Sequence, residues 1–201
     1  MDTVQLEGDA AISYHFYDWG EWGQMAYRLA AKILEHEHQF DRLVALATGG
    51  LTLSRAMRDY LDIPKLSRLS ISFYTGIGQA GRTPVIRESL SVDVEGERIL
   101  IFDDINDSGS SLQAARKYLE LRGAASITTA TILQKPVTAC PSDYYVDETS
   151  DWIIFPDEVR ETIVALTQSW REKGVSAAEI DARLLKIGFR DFHLDLIKAH
   201  P

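Results

Sequence analysis

One stretch constrains this chain more than any other: Ile99-Leu-Ile-Phe-Asp-Asp-Ile-Asn-Asp-Ser-Gly-Ser-Ser-Leu112. Its opening run of apolar residues reads as a strand covered on both faces, because a strand with one wet face would alternate. The strand delivers two adjacent carboxylates, Asp103 and Asp104, to its C-terminal end. A turn of small residues from Asp107 to Ser111 then feeds a helix that runs to Arg122 and stops at Gly123. Backbone N–H groups at such a helix start, with the hydroxyls of Ser108, Ser110 and Ser111, form a cradle for a phosphate monoester. Carboxylates beside the cradle suit the vicinal hydroxyls of a ribose or a magnesium ion, which prefers hard oxygen ligands. The expected ligand is a sugar phosphate. Acids and serines also serve as helix caps and in solvated turns, so the weight rests on the coincidence of strand, paired acids, third acid, glycine and helix. Aspartyl phosphohydrolases place one residue between their two acids, a spacing this stretch lacks.

The rest of the chain supplies a scaffold for that stretch. Further short apolar runs at Leu43–Ala47, Leu69–Phe73 and Ile127–Leu133 read as buried strands, and Leu51–Leu61 as a helix between the first two. Strand and helix in alternation imply an α/β fold with an open, mostly parallel sheet flanked by helices. Trp19–His38 carries apolar residues at helical spacing (Trp22, Met25, Ala26, Leu29, Ala30, Ile33, Leu34). The segment Thr75–Asp93, with Gly76, Gly78, Gly81 and Pro84, breaks the alternation and reads as a long functional loop. Beyond Pro156 the pattern is helical, and Ser176 and Glu179 are spaced as a capping box opening Ala177–Lys186. His36 and His38 sit two apart, do not share a helix face, and read as solvated.

Length and charge exclude several classes. The 201 residues suit one domain with a core large enough to need no staples. Cys140 is alone, so no internal disulfide framework exists, which fits a reducing compartment. No apolar run approaches the roughly 20 residues of a membrane span, and no basic leader precedes an apolar core. The expectation is a cytoplasmic protein without membrane partners. A net charge of −9, with no Lys/Arg cluster, argues against nucleic acid, whose binding rests on neutralised phosphates.

The stretch 99–112 resembles the signature of the type I phosphoribosyltransferases, which bind 5-phosphoribosyl-1-pyrophosphate (PRPP). By that resemblance Asp103 and Asp104 contact the ribose hydroxyls, and Asp107, Ser108, Gly109, Ser110 and Ser111 bind the 5-phosphate. Other motifs are similar to the 6-oxopurine branch, most closely the xanthine-guanine enzymes. Ala47-Thr-Gly-Gly-Leu51 resembles the pyrophosphate loop, through Thr48, Gly49 and Gly50, although the family usually has arginine where Thr48 stands. Leu133-Gln-Lys-Pro136 is similar to the step whose lysine, here Lys135, donates to the purine O6. Asp143–Glu158 looks like the purine hood, with Trp152 stacking, Ile153 beside it, and Asp157 where the family often has tryptophan. Ile71-Ser-Phe-Tyr74 precedes the loop, and the likeness covers roughly residues 14–158.

The resemblance implies a single domain over 1–201, a hood over 135–158 and a helical extension over 159–201. It implies a magnesium-dependent transfer of the phosphoribosyl group to xanthine, guanine or hypoxanthine, and a dimer or tetramer. Asp107 is then the general base for the purine N7 proton, and Asp103, Asp104 and Glu158 are the metal candidates. Tyr74–Glu88, including Arg82 and Arg87, is expected to close as a lid that excludes water. The rival reading is a non-catalytic PRPP or nucleotide sensor on the same scaffold, kept open by Thr48 and Asp157.

Overall fold

A computed structural model describes residues 3–6, 12–36, 39–75 and 82–199. His38, Gly76, Gly78 and Gly81 lie outside them. Nine strands and six helices follow in chain order among the described residues: β1 Val4–Gln5, β2 Ser13–Phe16, α1 Trp19–Leu34, β3 Arg42–Ala47, α2 Leu51–Tyr60, β4 Lys65–Thr75, β5 Arg82–Glu88, β6 Arg98–Asn106, α3 Ser110–Leu121, β7 Ser126–Gln134, β8 Tyr144–Glu148, β9 Trp152–Ile154, α4 Val159–Glu172, α5 Ala177–Ile187 and α6 Asp191–Ala199. The chain divides into two compact units, residues 23–149 and residues 1–22 with 150–201. The division at 149/150 falls within the segment read as the hood.

The unit 23–149 is built on a six-stranded sheet in the order β5-β4-β3-β6-β7-β8. All neighbours pair parallel except β4 with β5. The reason is legible in the central strands: Leu43–Ala45 and Ile99–Phe102 are at most 1 % exposed, the burial of strands covered on both faces. One face packs against α3, whose Leu112, Ala115 and Leu119 recur at helical spacing and join Val44, Leu46, Leu69, Ile99 and Ile101 in one core cluster. At the N-terminal end of the sheet, Glu97 accepts from Arg42 Nε at 2.7 Å and from Lys65 Nζ at 2.6 Å, joining the starts of β3 and β4.

The strand order reverses between β3 and β6. From β3 the chain moves outward through β4 and β5, and from β6 it moves the other way through β7 and β8. The loops after β3 and β6 therefore diverge, which in an open α/β sheet leaves a crevice at the carboxyl ends of the strands.

The expected loop over Tyr74–Glu88 requires correction, because all of its described part is strand. β4 runs to Thr75, and β5 pairs with it antiparallel from Thr75↔Arg82 to Ser70↔Glu88. Val85 and Ile86 favour a strand, and Pro84 is tolerated because β5 is the edge strand, where a missing N–H breaks no ladder. Arg87 is committed to this arm, its Nε donating to Ser72 Oγ at 2.7 Å.

The second unit assembles elements from both ends of the chain. β2 pairs antiparallel with β1 and parallel with β9, in the register Tyr14↔Trp152 to Phe16↔Ile154. Its core cluster combines Leu6, Tyr14 and Ile154 with Ile163, Trp170, Ile180, Leu184, Ile187, Phe189 and Leu194 from the helical part. Helix α1 opens in this unit on a capping box: Glu21 N–H donates to Asp18 Oδ1 at 2.8 Å, and Asp18 N–H donates to Glu21 Oε2 at 3.2 Å. No helix among the described residues is long and apolar enough to cross a membrane.

Candidate active site

Both loops singled out as anion cradles stand at the strand reversal. The first, Thr48-Gly49-Gly50, joins β3 to α2 and contains a cis peptide at Ala47–Thr48. The second, Asp107-Ser108-Gly109, joins β6 to α3. Each packs so closely on its neighbours that only glycine fits: the first loop lies against β6, and the second against Cys140. A Cβ on Gly49 would overlap the Asp104 carboxylate, and one on Gly50 would stand 2.5 Å from the Phe102 carbonyl oxygen. Gly109 has φ 84°, a left-handed conformation that costs a side chain energy. A Cβ there would also meet Cys140 Cβ at 2.7 Å.

Asp103 and Asp104 lie within β6, half-buried between the two loops. The Asp104 N–H donates to Asp103 Oδ1 at 3.1 Å, and the Ile105 N–H to Asp104 Oδ1 at 2.6 Å. Burial, with the neighbouring Asp104 charge, pushes the Asp103 carboxyl well above the ordinary value of 3.8, although N–H groups of Asp104 and Gly50 favour its charged form. Such a pair gains from hydroxyl donors or a cation, either of which relieves the repulsion. Asp107 and Ser108 are exposed at the mouth of the second loop, and Ser110 and Ser111 open α3 half-buried. Ser108 Oγ donates to Ser110 Oγ at 2.9 Å and accepts from the Ser110 N–H at 3.4 Å.

Lys135 is the first residue after β7, the strand next to β6, and is half-buried. Thus Thr48, Gly49, Gly50, Asp103, Asp104, Asp107–Ser111 and Lys135 all belong to the unit 23–149, at the carboxyl ends of three adjacent strands. Trp152, Ile153 and Glu158 belong to the other unit. There Trp152 opens β9 with 55 % of its surface exposed, so it is not core, Ile153 is half-buried, and Glu158 is the N-cap residue of α4. Among the described residues no group of three His, Cys, Asp or Glu gathers as a metal cluster. Asp103 and Asp104 nonetheless fit magnesium, which keeps several waters and commonly takes one or two carboxylates together with substrate phosphates.

Sequence reasoning missed a set of polar residues beneath these loops. Asn106 is 2 % exposed, and its side-chain amide donates to Cys140 O at 2.8 Å and to Ser142 Oγ at 3.1 Å. Gln134, its register partner on β7, accepts from the Ser142 N–H at 2.9 Å, and Thr131 Oγ1 lies 2.9 Å from Ser142 Oγ. The available signal was an amide at the end of each of two apolar strands, since a buried amide must find partners.

Comparison with known proteins agrees with this geometry. The phosphoribosyl transferase domain family matches residues 15–162, ending within α4. The chain is 34% identical to the bifunctional protein PyrR of Pseudomonas entomophila, over 55% of this chain and 66% of that one. It is 33% identical to the hypoxanthine phosphoribosyltransferase of Haemophilus influenzae, over 61% of this chain and 68% of that one. Among solved structures, the purine phosphoribosyltransferase of Pyrococcus horikoshii superposes with a TM-score of 0.64 at 32% identity, covering 71% of this chain and 93% of that one. With a match over most of its length, and with paired acids and two glycine loops at the strand reversal, this chain belongs to the phosphoribosyl transferase domain family.

Proposed function

We propose that the protein transfers the phosphoribosyl group of PRPP to a 6-oxopurine base, xanthine, guanine or hypoxanthine, with release of pyrophosphate. The observation that carries this reading is the contact of the first loop with the acid pair of β6: Gly49 leaves room for the Asp104 carboxylate, so an anion cradle meets a ribose-binding acid pair. In the reaction the bond from ribose C1 to the pyrophosphate oxygen breaks, and its electron pair leaves with pyrophosphate. The bond from C1 to the base nitrogen forms, and Asp107 takes the proton released at N7.

Each part of the site has a task in that step. The loop 48–50 is assigned to the departing pyrophosphate, where preorganised donors count most; the Gly50 N–H is already held by Leu46 O at 2.9 Å, which leaves the amides of Thr48 and Gly49 for that task. Asp103 and Asp104 hold the ribose hydroxyls and would hold magnesium, which when bound offsets charge on the leaving group. The cradle 107–111 anchors the 5-phosphate, the remote group whose binding orients C1. Lys135 supports the choice of an oxopurine, since an ammonium has three donors and no acceptor and so suits O6 and not the adenine amino group. The hypoxanthine enzyme among the relatives supports the same choice.

The decisive experiment is a turnover assay with PRPP, magnesium and each base in turn. The expected result is nucleotide and pyrophosphate from at least one of xanthine, guanine or hypoxanthine, with negligible product from adenine. PRPP binding without turnover of any base would replace this reading with that of a sensor.

A further inference from the structure

The segment 135–142 crosses from β7 toward β8 and is fastened to the phosphate cradle by bonds that converge on one side chain. From this geometry we infer that Asn106 is a positioning residue, locking the cradle at 107–111 and the base-reading Lys135 into one rigid piece; the inference rests on the reading proposed above.

Asn106 is the last residue of β6 and directly precedes Asp107. Its backbone carbonyl accepts from the Lys135 N–H at 2.9 Å. Its side-chain oxygen accepts from Thr138 Oγ1 at 3.0 Å, and its amide nitrogen holds Cys140 O and Ser142 Oγ. The strap is also tied to itself and to the cradle: the Thr138 N–H donates to Lys135 O at 3.2 Å, and the Ala139 N–H donates to Ser108 O at 3.2 Å. Gly109 lies against Cys140 so closely that no side chain fits between them.

A carboxamide suits this place because it donates and accepts at once. A hydrocarbon of similar size would leave the half-buried Cys140 O and the buried Ser142 Oγ without that donor, a cost above the mean value of a hydrogen bond. Movement of the strap would carry Lys135 and the Ser108 carbonyl together, since both are bonded to it. Asn106 touches neither sugar phosphate nor base in this scheme and acts through the backbone of its neighbours.

The test compares wild type with Asn106→Leu and with Thr138→Val, which removes a single hydroxyl and keeps the side-chain shape. Amide hydrogen exchange without ligand is the first readout. The expected result is faster exchange in both 107–111 and 135–142, with the central residues 99–102 unchanged. Steady-state kinetics is the second: KM for PRPP and KM for the base should rise together, by about tenfold for Asn106→Leu and by less for Thr138→Val. Faster exchange confined to one of the two segments, or unchanged exchange in a folded Asn106→Leu, overturns the inference. So does a rise in only one KM. Should Asn106→Leu fail to fold, Thr138→Val carries the same two readouts. A wild type inactive with every base sinks the proposed function, while the exchange readout still judges the lock.

Discussion

The two units of this chain solve different problems with different parts of the sequence. In residues 23–149, each strand of the central sheet is followed in sequence by the loop or helix that completes it, and the residues of the proposed chemistry gather where β3 and β6 diverge. In residues 1–22 with 150–201, partners come from opposite ends of the chain: Tyr14 pairs with Trp152, and Leu6 joins a core with Trp170 and Leu194. The first unit carries the proposed chemistry at the carboxyl pole of its sheet and an ion-pair cluster at the other pole, where Arg42, Lys65 and Glu97 meet. The second unit holds its helices with a large apolar cluster and local caps. Separating chemistry from stability is therefore the way to test the division.

Asp107→Asn makes the sharpest cut. It removes the proposed base from an exposed position and leaves the strand beneath it intact. The expected outcome is kcat lower by about 10² to 10⁴ with PRPP affinity nearly unchanged. Stopped-flow turnover beside calorimetric PRPP binding measures both, and kcat within a factor of about three of wild type would make Asp107 a turn residue.

Glu97→Gln is the complementary cut, made in the same sheet but at the pole away from the loops. Hydrogen bonds from Arg42, then Lys65, lower the Glu97 carboxyl below its ordinary 4.5 despite its burial. A carboxylate with a depressed folded pKa stabilises fully above its unfolded value, and that stabilisation drains away as pH falls through the folded value. Removing one partner of a half-buried pair costs about 1 to 3 kcal/mol, between the values for exposed and buried pairs. The Glu97→Gln deficit should thus be large at pH 7 and shrink below about pH 4.5, while kcat at pH 7 holds. A deficit independent of pH, in urea titrations across that window, would show that packing and not charge is at work.

Lys135→Ala tests specificity inside the first unit with a smaller effect. Loss of a charged hydrogen bond, about 1.5 to 3 kcal/mol, should lower kcat/KM for the oxopurine by tenfold or more and barely touch adenine. Unchanged discrimination between the two bases would remove Lys135 from base recognition.

How far the sequence foretold these regions follows from the range of the interactions. The β6 stretch was legible down to its turn because strand, acids, glycine and helix are consecutive, and each element depends on its neighbours in sequence. β3, α2, α3 and β7 were likewise found within a residue or two, their burial written as continuous apolar runs. β5 was not, because Arg82–Glu88 owes its extended form to pairing with β4 at the sheet edge, and its Pro84 argued locally for a loop. β2 and β9 escaped for a related reason: each is short, and each has its partner at the far end of the chain. In the site, Asp103, Asp104 and the glycines were readable, while the role of Asn106 was not. Its partners Thr138, Cys140 and Ser142 lie beyond a whole helix and strand, and the spacing between them has no motif.

Ser176→Ala is the gentlest cut and the one that bears on the second unit alone. The capping-box spacing of Ser176 and Glu179 is half realised: Ser176 Oγ accepts from the Glu179 N–H at 3.3 Å, but the Glu179 carboxylate is paired with Arg183 at 2.6 Å, one turn along α5. Ser176 therefore caps the helix while Glu179 serves an i,i+4 pair. The alanine variant should lose the cap and about 1 kcal/mol of stability, and the surface pair should be worth only a few tenths more. Since α5 contributes Ile180, Leu184 and Ile187 to the core of its unit, fraying at Ser176 should accelerate amide exchange in 177–180 without reaching the cradle at 107–111. With kcat and both KM values unchanged, the helical region counts as a separately stabilised part of the molecule. A fall in kcat, or faster exchange in 107–111, would instead mean that the cap of α5 sets the order of the catalytic loops, and the two units could not be treated as independent.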